Sequence, residues 1–145
     1  MTVNPASLTT PNRPSSDSSV PAASGHGLSG PTPVTLSAAH RDWMMLQAYL
    51  HLEQRKTVSA CQLLRLLFRQ FPDDVEVQRC LALGELMSQR PVEAARVATR
   101  ALQKGTDKLR MPVGLVFAKA LWDQGKHEAA REFLASLLTN PNRPL

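Results

Sequence analysis

Aromatic residues are scarce in this sequence, at 5% of its 145 positions. That scarcity argues against β-sheets, whose pleated surfaces are filled largely by aromatic and β-branched side chains; Leu and Ala supply most of the apolar mass here, and both favour helices. No apolar run approaches the roughly 18 residues of a membrane-spanning helix, so no membrane insertion is expected. The N-terminus has neither a basic n-region nor an apolar h-region, and the chain is read as cytoplasmic. Cysteine is limited to Cys61 and Cys80. Both fall inside helical patterns, which suits small buried hydrophobes better than a disulfide. Their spacing gives no metal-binding pair, and the sequence has no Gly-rich phosphate loop and no His-Glu-x-x-His helix.

Catalysis has little to build on. His40 and His51 would share a helix face, but eleven residues separate them, about 16 Å along a helix, too far for one ion. His127, next to Glu128, falls at a helix start and is read as exposed. The neighbouring acids Asp73 and Asp74 stand where a helix needs a cap, and capping accounts for them. With no nucleophile matched to a base, the expectation is a protein that is not an enzyme and needs no cofactor or metal.

The formal net charge is +5, and because Arg13 and Asp17 cancel, none of it comes from the first 34 residues. The excess is spread along the remaining chain and not gathered into a run, so nucleic acid is not an expected partner. Residues 1–34 hold six of the eleven prolines and the run Pro14-Ser15-Ser16-Asp17-Ser18-Ser19. Such a segment cannot bury enough apolar surface to offset chain entropy, and it reads as a disordered tail ahead of a helical domain over 35–145.

Six helices are predicted from that domain's patterns. The first covers about Ser37 to Glu53 with Ser37 as its cap and Trp43, Leu46 and Leu50 on one stripe; the second covers about Val58 to Gln70 and ends before Pro72. The third starts behind Asp73 or Asp74 and reaches Ser88. The fourth starts at Pro91 and reaches Lys104. The fifth covers about Met111 to Gln124 with Pro112 in its first turn, and the sixth about Lys126 to Thr139, before Asn140-Pro141-Asn142-Arg143-Pro144 stops it.

These helices group into pairs. Ala48 and Ala60, Ala82 and Ala94, and Ala118 and Ala130 are each twelve residues apart, and the pairs recur after 34 and then 36 residues. Small residues at these points let antiparallel helices approach closely. Leu64, Ala98 and Leu134, then Leu67, Ala101 and Leu137, occupy equivalent places on the second helices and are expected to meet the next pair.

On these residues the sequence resembles the tetratricopeptide repeats, helix hairpins with small residues at equivalent points and a proline near the end of each unit. Ala48, Ala60, Leu64 and Pro72 carry the match in the first unit, Ala82 and Ala94 in the second, and Ala118, Gly125 and Ala130 in the third. Thr106 stands where a proline is usual, and the loop Lys104 to Arg110 is read as two residues longer. The resemblance implies an all-α fold of three tetratricopeptide-like hairpins, an α-solenoid.

A narrower resemblance covers about residues 40–139. The run His40-Arg41-Asp42-Trp43-Met44-Met45-Leu46-Gln47-Ala48-Tyr49-Leu50, with Ala60-Cys61-Gln62-Leu63-Leu64, Phe71-Pro72-Asp73-Asp74 and Arg79-Cys80-Leu81, is similar to the YscY type of bacterial type III secretion chaperone. That likeness implies a cytosolic chaperone holding a small secreted substrate of the YscX type and contacting the cytosolic domain of the export gate.

The family's groove positions map onto Met45, Tyr49 and Leu52, then Arg79, Leu83, Leu86 and Met87, then Leu115, Lys119 and Trp122. An apolar stripe of this kind is either a partner-binding groove or a collapsed core. Arg79 and Lys119 either meet acidic groups of a partner or are simply solvated. Trp43, Leu46, Cys80 and Leu81 are assigned to packing. Two further functional readings remain: a general tetratricopeptide scaffold joining two proteins, and a secreted protein whose N-terminal tail is its export signal.

Overall fold

The computed structural model describes residues 36–104 and 107–139. The tail over 1–34 and the stop signal after Thr139 lie outside the described residues. Six helices succeed one another, α1 (Ala38–Glu53), α2 (Thr57–Gln70), α3 (Val75–Met87), α4 (Pro91–Lys104), α5 (Asp107–Asp123) and α6 (His127–Thr139), and no strand occurs among the described residues.

Local chemistry sets several of these boundaries. Ser37 Oγ accepts a hydrogen bond from the His40 amide, and an Asp74 side-chain oxygen accepts from the amides of Glu76 and Val77, so both caps satisfy donors that the first helical turn leaves free. Pro91 opens α4, where its missing N–H costs no helical bond. Helix α5 departs from expectation. It begins at Asp107, so Pro112 lies inside it and not in the first turn. Helix α5 is 17 residues long, four more than α3. Asp107 places a negative charge at the positive end of the helix, while Pro112 removes a single backbone bond close to that end.

The turn between the helices of each pair is built three times on one plan. The second residue beyond α1, α3 and α5 is left-handed: Arg55 (φ 59°), Gln89 (φ 59°) and Gly125 (φ 79°). The following amide then reaches back across the helix end, Lys56 to the His51 carbonyl at 2.8 Å, Arg90 to Glu85 at 2.9 Å and Lys126 to Leu121 at 3.0 Å. These bonds satisfy carbonyls that a helix C-terminus leaves open. Only the third turn uses glycine, the residue with no steric cost in that conformation.

Each helix packs on the next in chain order. α3 also meets α5 and, more lightly, α1, whereas the backbones of α2 and α4 stay apart on either side of α3. The paired alanines Ala48, Ala60, Ala82, Ala94, Ala118 and Ala130 are all buried, as are Leu64, Leu67, Ala98, Ala101 and Leu137. Leu134 is half-buried, because no described helix follows α6 to cover it. Burying a leucine such as Leu64 contributes about 2 to 3 kcal/mol. At Gly84 a β-carbon would lie 3.0 Å from Cys61 Sγ and 3.5 Å from Leu52, so glycine permits the close approach of α3 to the first hairpin.

Candidate functional site

Five of the ten predicted groove residues come together. Tyr49 and Leu52, one turn apart on α1, and Arg79, Leu83 and Met87, successive turns of α3, line a concavity of about 400 Å³ with Glu53 and Arg55 at its rim. Spacings of three and four residues put each set on one helix face, and the light packing of α1 on α3 leaves the space between them open. Leu52 forms its floor: it is 4% exposed and belongs to the core, so it shapes the concavity more than it offers surface. Tyr49 is 47% exposed and supplies the accessible apolar wall.

Arg79 is not a free cation. Its Nε donates to Glu76 Oε2 at 3.0 Å and its Nη2 to the same carboxylate. That pairing raises the guanidinium further above its ordinary range and holds the Glu76 carboxyl below its own. A partner carboxylate would have to share Arg79 with Glu76. Next to this pair, Cys80 is buried, and desolvation pushes its thiol up to about 11. Burial likewise raises the thiol of Cys61, whose sulfur is 3.5 Å from Ser88 Oγ. Both cysteines are free.

Leu115, Lys119 and Trp122 belong to a separate concavity of about 200 Å³, between α5 and α6, which they line with Ala118, Ala130 and Leu134. Lys119 pairs with Asp123 in the next turn. The Trp122 ring lies 4.3 Å from the His127 ring and 5.8 Å from the Arg131 guanidinium, so its position is fixed by the start of α6. Met45 packs half-buried against the core, and Leu86 is half-buried; neither lines either concavity.

Two packing assignments are corrected. Cys80 and Leu81 are buried, but Trp43 is 61% and Leu46 55% exposed. With Leu50, also exposed, they form the face of α1 opposite its buried residues Met44, Ala48 and Leu52. The physical reason is position: α1 is the first described helix, so its outer side has no described neighbour. The sequence signal was there, since α1 carries large apolar residues on its outer side as well as on its buried one, and a helix of that kind is covered on both sides or presents a surface.

A third feature lies across the molecule. Arg65, Phe68 and Arg69 of α2, Leu81 and Glu85 of α3, Arg90, and Glu93, Arg96 and Val97 of α4 line a cleft of about 330 Å³. Glu85 is almost wholly buried there, accepting from Arg65 Nε at 2.7 Å and Nη2 at 2.9 Å and pairing with Arg90 at 3.2 Å. Among the described residues no cluster of three metal-ligating side chains occurs, and no helix is long and apolar enough to cross a membrane. Comparison with protein-family models gives no match, and comparison with curated proteins gives none either.

Proposed function

We propose that the protein is a non-catalytic cytoplasmic chaperone of the type III secretion kind, which holds a small export substrate of the YscX type and presents it to the cytosolic domain of the export gate. The observation that carries this reading is the concavity between α1 and α3, where Tyr49, Leu83 and Met87 surround the buried Leu52 and Arg79 supplies a charge at one side. A cleft of this size, with Glu53, Arg55 and Arg79 beside its apolar residues, suits one or two apolar side chains of a peptide segment flanked by polar ones, and methionine adapts its shape to them. The three left-handed turns and the buried alanine pairs, both recurring after 34 and 36 residues, support an arrangement of three tetratricopeptide-like hairpins as an α-solenoid.

Co-purification from the native host followed by mass spectrometry tests the proposal. The expected companion is a small type III substrate that is lost when Tyr49 and Leu83 are made polar; recovery of unrelated proteins alone would contradict it. The exposed Trp43, Leu46 and Leu50 favour a second reading, a scaffold with partners on two faces. In that case substitutions at Trp43 and Leu46 would release one companion and leave another in place.

A further inference from the structure

The cleft between α2 and α4 gathers charge that looks dispersed along the chain. α2 has two arginines and no acid, and α4 has Arg96, Arg100 and Lys104 against Glu93, so these two helices carry +4 of the formal +5. The other four helices together carry −2. The backbones of α2 and α4 stay apart, with α3 forming the floor between them, and Arg100 of α4 reaches across to the Phe68 ring of α2.

The arginines divide by role. Arg65 and Arg90 are held by the buried Glu85 carboxylate and keep the walls in place. Arg69 is exposed and has no ion pair among the described residues. Arg96 makes only an exposed pair with Glu93, of the class that contributes little. Arg100 stands 5.2 Å above the Phe68 ring and 3.9 Å from Asp73. Between these cations lie half-buried Phe68 and buried Leu81 and Val97. The cleft therefore combines guanidinium forks with an apolar floor.

We propose that this cleft is a second docking site, for an acidic segment of a partner protein whose carboxylates pair with Arg69 and Arg96 while an apolar side chain rests on Phe68 and Val97. Planar guanidinium groups match carboxylates in two-pronged pairs. A nucleic-acid backbone fits less well. Glu85 and Glu93 line the cleft and repel a continuous row of phosphates, and the floor offers apolar contact that such a backbone cannot use. The site is on different helices from the Tyr49 concavity and does not depend on the chaperone reading.

The test uses the full chain and a fluorescein-labelled peptide rich in glutamate with one central leucine, followed by fluorescence anisotropy at low and high salt. The peptide is expected to bind wild-type protein, and its lysine counterpart is not. R69E/R96E is expected to weaken binding by about tenfold or more, as for removal of charge pairs in an interface. Because both side chains are exposed, the circular dichroism of this variant should match wild type. The milder pair R69Q/R96Q adds no acid beside Glu93 and should shift affinity in the same direction. Y49Q/L83Q should leave it unchanged. Failure of the acidic peptide to bind wild type, unchanged affinity in both arginine variants, or tighter binding of an oligothymidylate of matching charge would each overturn the proposal.

Discussion

Gly125 offers a substitution whose cost can be separated from packing. Its φ is 79°, and a β-carbon built there would meet nothing within 4 Å, so Gly125→Ala introduces no clash and loses no contact. What remains is backbone energy. Left-handed geometry costs an alanine about 1 to 2 kcal/mol. The stiffer unfolded chain returns about 0.5 to 1 kcal/mol of that. The net loss is about 0.5 to 1 kcal/mol, or about 3 to 6 °C in Tm for a domain of this size. Gln89 occupies the equivalent turn with φ 59° and is exposed, so Gln89→Gly reverses both terms and should raise Tm by a similar amount. Thermal and urea melts followed by circular dichroism would measure both. A Gln89→Gly variant less stable than wild type would show that the two turns are not equivalent and that the shared plan of the helix pairs is mistaken.

Other outcomes follow from burial. Cys80 should alkylate slowly in the folded protein and fast in denaturant, with Cys61 alike. Because the Cys80 thiol stands near 11 when folded, against an ordinary 9.0, the unfolded chain loses its proton first. Stability is therefore undiminished by this group below about pH 9 and falls as pH rises toward 11, by roughly 2 to 3 kcal/mol, a slope that Cys80→Ala should flatten. Ala94 is fully buried at a helix contact, so Ala94→Leu should cost on the order of 1 to 3 kcal/mol by overpacking in urea melts. Trp43 and Leu46 face outward, so Trp43→Gln with Leu46→Gln should change stability by less than about 0.5 kcal/mol in the same assay.

Much of the fold could be read from local chemistry. Ser37, Asp74 and Pro91 act through bonds within one helical turn, and their roles were legible for that reason. The alanine spacing identified the close helix contacts, since only small residues tolerate them. Pro112 was placed wrongly because a proline near a helix start suits several positions, and α5 begins four residues earlier than expected, at Asp107. Trp43 and Leu46 show a different limit. Periodicity assigns a residue to a face of its helix but does not say whether another helix lies against that face. The same limit split the expected groove, since Trp122 shares a helix face with Leu115 yet opens toward α6 and not toward Tyr49. The basic cleft was invisible for a related reason: its arginines come from helices separated by all of α3.

The chaperone proposal stands or falls on the α1–α3 concavity. Isothermal titration of wild type and Y49Q/L83Q with the small export substrate, after circular dichroism has shown the variant to be folded, addresses it directly. Losing two large apolar contacts should remove roughly 2 to 4 kcal/mol, an affinity loss of about thirty- to a thousandfold. A folded variant that binds the substrate with wild-type affinity would place the partner on another surface and contradict the assignment.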